Sequence, residues 1–272
     1  MRITTLIAVA ALSLGSIAAP LSAHAGDVYY STGYVGAEIF AITVSEGKVV
    51  TTDVGPTNGG VCASLAMSKW GVMYSVCGNL FGAQQLATID LKTGHATLFG
   101  APVSGLAVMS IAFAPNGTLY AIGDCNPNRS NSYECTAGTD PNYNSLYTVD
   151  INGGAFSRVG PTGAPQYFMD LAFDRHGKLF GVTTTLNPSR TPAILYELDL
   201  STGAATQVAT LIGSTQLMGL AFGDDGALYA TDFVNNPGLY RINMKTGLQS
   251  AVAALPFGYS SSLELVKRHH EN

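Results

Sequence analysis

The sequence predicts an all-β fold, a five-bladed β-propeller of four-stranded antiparallel blades whose ring is closed by a C-terminal strand in the N-terminal blade. Three observations predict it. A glycine, a spacer, an apolar residue and an aromatic recur as G-x-h-[YF] in Gly26-Asp27-Val28-Tyr29, Gly71-Val72-Met73-Tyr74, Gly117-Thr118-Leu119-Tyr120, Gly177-Lys178-Leu179-Phe180 and Gly226-Ala227-Leu228-Tyr229. The glycines stand 45, 46, 60 and 49 residues apart, a period typical of radially stacked four-stranded blades. Finally, the first repeat lacks an innermost strand and the C-terminus supplies one.

Each repeat divides into strands A to D. Strand A reads Ser64-Leu65-Ala66-Met67, Ser110-Ile111-Ala112-Phe113, Asp170-Leu171-Ala172-Phe173 and Gly219-Leu220-Ala221-Phe222. Large apolar residues alternate with small ones, as in a strand with two unlike faces. Turns such as Pro115-Asn116-Gly117 and Asp224-Asp225-Gly226 lead into strand B, with glycine where the backbone needs a positive φ. Strand C follows, as in Leu146-Tyr147-Thr148-Val149-Asp150, and ends in a turn such as Lys92-Thr93-Gly94 or Ser201-Thr202-Gly203. Strand D, as in Ala96-Thr97-Leu98-Phe99, alternates with polar residues and suits an outer edge.

The first repeat starts at strand B (Val28-Tyr29-Tyr30), continues through strand C (Ile39-Phe40-Ala41-Ile42) and has strand D over 49–54. Ser262-Leu263-Glu264-Leu265 aligns with Ser64-Leu65-Ala66-Met67 and supplies its strand A, leaving no open ring. The 60-residue interval contains an insertion between strands B and C of the third blade, from Gly123 to Asn144, with the composition of a long loop.

Residues 1–25 read as a signal peptide: Arg2, an apolar stretch from Leu6 to Ala19, and the small-x-small site Ala23-His24-Ala25. Removing these 25 of 272 residues leaves 247, enough for one propeller domain over 26–266 and a polar tail over 267–272. The expected location is secreted or periplasmic. Net charge is −5 and becomes −6 without Arg2, which disfavours nucleic acid and anionic membrane as partners, and no segment calls for membrane insertion. The expected state is a monomer.

Four cysteines in an exported chain imply two disulfides, with three possible connectivities. Local pairing is the natural choice: Cys125 with Cys135 inside the insertion, and Cys62 with Cys77 across a hairpin whose four-residue turn centres near Lys69-Trp70. No Cys/His spacing suits zinc.

The repeat unit resembles the L-x-F-D-x-x-G-x-L-Y … L-Y-x-I-D-x-x-T-G units of exported propellers, broadly similar to the NHL and quinoprotein-type repeat families. The resemblance implies the fold. Such families host lectins, lyases, lactonases and scaffolds, and because their usual catalytic signatures are not found in this sequence, no site residue carries over.

Topology places the B–C and D–A loops on one face, the loop face, and the A–B and C–D turns on the other. His95 and His176 fall at turns of the opposite face, which disfavours a histidine-based triad at the channel mouth. Acids gather instead on the loop side, including Asp124 and Asp232, while Arg129 and Arg190 are the basic residues there. Asp170 stands alone against Ser64, Ser110, Gly219 and Ser262 at one level of strand A, and Glu264 alone against Ala66, Ala112, Ala172 and Ala221 at another. An unpaired buried carboxylate is costly, so a ligand, a metal or a hydrogen-bonded structural role is expected for both.

Asp170, Asp124 and Asp232 are the candidate ligands for Ca²⁺, the one cofactor an all-oxygen set suggests. With Arg190, Glu264, Tyr143, Tyr167 and Phe233 they form the candidate ligand site, where rings stack and polar groups fix orientation. The leading expectation is a non-catalytic binding module for a carbohydrate, peptide or small molecule. The alternatives are a Ca²⁺-dependent hydrolase or lyase, and a scaffold that binds proteins through its loop face.

Overall fold

The structure, a computed structural model, describes residues 27–33, 37–45, 48–79, 83–103, 105–125, 143–184, 192–213, 216–232, 237–256 and 262–266. Five four-stranded antiparallel sheets form a five-bladed β-propeller. Blade 1 holds β1 (Asp27–Thr32), β2 (Glu38–Ser45) and β3 (Lys48–Pro56). Blade 2 holds β4 (Val61–Met67), β5 (Met73–Gly78), β6 (Gln84–Ile89) and β7 (Ala96–Val103). Blade 3 holds β8 (Leu106–Phe113), β9 (Leu119–Cys125), β10 (Ser145–Val149) and β11 (Phe156–Pro161). Blade 4 holds β12 (Tyr167–Phe173), β13 (Leu179–Thr184), β14 (Ile194–Leu198) and β15 (Ala205–Thr210). Blade 5 holds β16 (Leu217–Phe222), β17 (Leu228–Asp232), β18 (Gly238–Ile242) and β19 (Gln249–Ala254), and β20 (Glu264–Val266) completes blade 1 against β1. The innermost strands β4, β8, β12, β16 and β20 pack side by side around the axis.

The C-terminal strand closes the ring but begins two residues later than the alignment predicts. Its pairs are Tyr30↔Glu264, Tyr29↔Leu265 and Val28↔Val266. Ser262 and Leu263 are buried just before it. Ser31 Oγ donates to the Ser262 carbonyl (2.5 Å), and Thr32 N donates to Ser262 Oγ (3.1 Å). These contacts continue the seam where the backbone ladder stops.

One apolar core fills each seam between blades. The repeat aromatic has its place there: Tyr74 meets Phe113, Tyr120 meets Phe173 and Phe180 meets Phe222, with ring centroids 5.4, 5.7 and 5.5 Å apart. In each pair a strand B ring packs on the last strand A residue of the next blade, at separations where tilted aromatic pairs attract.

Blade 1 departs from its predicted register. Tyr29 pairs with Ile42 as Met73 pairs with Ile89 and Leu119 with Val149. Ser31 Oγ bonds the Ser262 carbonyl as Ser75 Oγ bonds that of Ser64. The true equivalent of Gly71-Val72-Met73-Tyr74 is therefore Asp27-Val28-Tyr29-Tyr30, one residue beyond the motif at Gly26. A fully buried tyrosine, Tyr29, thus occupies a core position that methionine or leucine fills in the other blades. Its ring lies 5.9 Å from that of Tyr229 at the closing seam.

Outer turns lock neighbouring blades. Gly203 has φ +81°, and a Cβ there would lie 2.5 Å from the Gly160 carbonyl of the preceding blade. Only glycine satisfies both the turn and the close approach. Asp199 closes the same turn by accepting from Ser201 and Thr202, bonds that hold its carboxyl down at about 2.

Cys62 and Cys77 are bonded, with Cα atoms 4.0 Å apart. The pairing is the expected one, but its geometric cause is different. Near the turn the register is Met67↔Met73, Ala66↔Tyr74 and Leu65↔Ser75, which alone would misalign the cysteines by one residue. A β-bulge between Cys62 and Leu65 absorbs one residue and sets Cys62 opposite Cys77. Both cysteines are buried in the seam between blades 1 and 2. For a closed loop of this size, opening the bond should remove about 3 kcal/mol. Urea unfolding of a Cys62→Ala/Cys77→Ala variant should show that loss, and an unchanged midpoint would refute it. Cys125 ends β9, but its expected partner Cys135 and the segments 1–26 and 267–272 lie outside the described residues.

Candidate functional site

Strand A enters the ring from the loop face, so its first residues form the channel mouth. Four of the five inner strands carry a bulge there, between Cys62 and Leu65, Val108 and Ser110, Phe168 and Asp170, and Leu217 and Gly219. The residues before the Ser/Asp/Gly level are Ala63, Met109, Met169 and Met218. Ala63, Met109 and Met218 are partly exposed, and Met169 is 9% exposed. A recurrent methionine in that position is visible in the sequence, but strict alternation along strand A starts one residue further on and passes it by.

Immediately below lies Asp170, only 2% exposed. An inner strand is an edge strand, and its unpaired backbone donors face the axis. The Asp170 carboxylate collects donors from all five blades. Oδ1 accepts from Ser110 Oγ (2.6 Å), Ser64 Oγ (3.3 Å) and Leu171 N (3.0 Å). Oδ2 accepts from Leu220 N (2.8 Å) and Leu263 N (3.3 Å). Burial pushes the carboxyl up to about 7, against the downward pull of Ser110 and of the Leu220, Leu171 and Leu263 N–H groups. This one side chain ties the ring together at its axis.

Glu264 stands at the next level, at the alanine position of the other blades. Its Oε1 accepts from Met67 N (2.9 Å), linking blade 1 to blade 2. Burial raises its carboxyl to about 8; the Met67 N–H opposes the shift and the nearby Asp170 adds to it.

Four of the remaining candidates, Tyr143, Asp124, Tyr167 and Asp232, lie at or beside the loop-side strand ends of blades 3, 4 and 5. Tyr143 and Tyr167 form an edge-on pair with centroids 6.2 Å apart, and Tyr143 Oη donates to the Pro165 carbonyl (3.0 Å). Burial raises the Tyr143 hydroxyl, and neighbouring Asp124 raises it further. Asp124 ends near this pair in blade 3, whereas Asp232, fully buried in blade 5, acts on Tyr240. Arg190 and Phe233 lie outside the described residues.

Among the described residues no three His, Cys, Asp or Glu side chains converge on a point where they could hold a metal. Asp124, Asp170 and Asp232 are therefore not brought together as one Ca²⁺ ligand set, and the Asp170 oxygens already face protein donors. His95 and His176 are exposed at turns away from the mouth. No helix among the described residues is long and apolar enough to cross a membrane.

No family model matches the chain, and no curated protein matches it. Solved structures do. A gluconolactonase from Xanthomonas campestris superposes with a TM-score of 0.51 at 13% identity, over 88% of this chain and 79% of its own. A second protein, a putative gluconolactonase, gives a TM-score of 0.52 at 13% identity, over 87% of this chain and 81% of its own. At such identity the likeness is one of fold, and the chain is a propeller-repeat protein.

Proposed function

We propose that this protein is an exported, non-catalytic binding propeller that takes a carbohydrate, peptide or small-molecule ligand at its loop face. The observation that carries this reading is the Tyr143–Tyr167 pair, one ring anchored through its hydroxyl and set beside Asp124. A fixed pair of partly exposed rings can stack on a ligand's apolar face, and the buried Asp124 beside them gives the spot a negative potential that suits a ligand's hydroxyl or amine hydrogens. Supporting it, the carboxylate at the axis is engaged by five protein donors, and the described histidines are remote from the mouth. A buried disulfide and four cysteines in all accord with an oxidising compartment.

The test is a calorimetric and thermal-shift screen with cello- and chito-oligosaccharides and with tripeptides bearing tyrosine or phenylalanine. Hits should weaken at least tenfold in Tyr143→Ala and Tyr167→Ala, with melting temperature nearly unchanged and with binding retained in EDTA. Turnover of a hit that EDTA abolishes would replace this reading with the metal-dependent enzyme. Hits that both variants bind as the parent does would remove the tyrosine pair from the site.

A further inference from the structure

We propose that Glu264 makes the ring-closing strand a pH-sensitive latch, closed when its carboxyl is protonated and loosened when it ionises beside Asp170. Blade 1 is the one blade assembled from both ends of the chain, and its inner strand β20 is three residues long. The ties holding that strand include three residue pairs with β1 and the bond from Met67 N to Glu264 Oε1. The other four blades carry alanine at this level and place no charge there.

The groups that face Glu264 come from four strands. On β12, Asp170 is the carboxylate that acts on it directly. β4 and β16 carry no ionisable side chain, Cys62 being in the disulfide. On β1, Tyr30 lies across from it, and Asp27 and Tyr29 sit towards the Tyr229 seam. No cation among these residues offsets a second negative charge in the channel. Ionising Glu264, which is partly exposed in the closed ring, therefore sets two carboxylates near each other at the axis, and releasing β20 moves them apart.

The direction of the pH effect follows from the folded-state value lying above the unfolded one. The closed ring keeps a proton that the opened strand gives up, so closure is favoured most below about 4.5, weakens as pH rises, and levels off above about 8. Release of one proton per opening means about tenfold in the opening equilibrium for each pH unit inside that window.

Hydrogen–deuterium exchange from pH 5 to 9, corrected for intrinsic exchange, reads this directly. Peptides spanning 262–266 and 28–30 should lose protection by about tenfold per pH unit up to about pH 8, on top of the loss below about pH 7 that Asp170 gives the whole fold. Glu264→Gln should flatten the closing-seam profile. Glu264→Ala, which installs the residue the other blades use, should do the same and guards against a misfolded glutamine variant. A seam profile that stays as steep in both variants would overturn the proposal.

Discussion

A chain ending at Ser261 should yield no soluble monomer, whereas one ending at Lys267 should melt like the parent. The first truncation removes the whole inner strand of blade 1. Tyr30, Tyr29 and Val28 lose their partners on β20, and Thr32 N and Ser31 Oγ lose Ser262. Asp170 loses the Leu263 N–H and Met67 N loses Glu264. Leu263 is 1% exposed and belongs to the core between blades 5 and 1, where burying a leucine contributes about 1.5–3 kcal/mol. Each buried polar group left without a partner costs about 1–3 kcal/mol more. Set against a total stability of about 5–15 kcal/mol, the combined loss reaches the whole of it. The freed edge of β1 then invites pairing between chains. Size-exclusion chromatography and a circular-dichroism melt decide the matter. A truncated protein that elutes as monomer and melts normally would show that β20 does not close the ring.

The five blades are legible because their signals are local and repeated. Turn glycines such as Gly117 and Gly177 have positive φ where a side chain would strain the turn, and small and large residues alternate along each inner strand. Register is less legible. Gly26-Asp27-Val28-Tyr29 matches the motif by letter, but Asp27-Val28-Tyr29-Tyr30 matches it in space, because two tyrosines in a row satisfy either reading. Cross-strand pairing decides between them, and pairing is not a local property. The bulges escape for a related reason: an extra residue in one strand shows only against its partner.

The Asp170 level stands out in the sequence as unlike its four counterparts. What the letters do not carry is the direction of its contacts. A lone acid among serines and a glycine suggests a metal or ligand until backbone N–H groups from other blades are seen aimed at it. Those donors belong to Leu220 and Leu263, whose letters say nothing about where their amides point.

Asp170→Ala should therefore be among the most damaging single substitutions in the protein. It leaves the Leu220 and Leu263 N–H groups facing an empty axis, while Leu171 N keeps Ser110 Oγ (3.0 Å) and Ser64 keeps Ser110 (3.2 Å). Two orphaned buried donors cost about 1–3 kcal/mol each, so the expected loss is about 2–6 kcal/mol. Serine, the residue of three other blades, is too short to reach across the ring and should lose nearly as much. The Asp170→Asn variant keeps one acceptor oxygen but turns an NH₂ group toward other donors, and it should fall between alanine and the parent. Because burial raises Asp170 to about 7 from 3.8, the parent loses stability as pH rises between those values, and the amide removes that share of the slope. Urea titrations at pH 5 and pH 8 on all four proteins separate the two effects. A carboxylate kept only for chemistry would behave in the opposite way: relieving its buried charge would leave Asp170→Asn at least as stable as the parent at pH 8. That outcome would return Asp170 to the list of functional groups, whereas a marked destabilisation fixes it as the hub on which the five inner strands are joined.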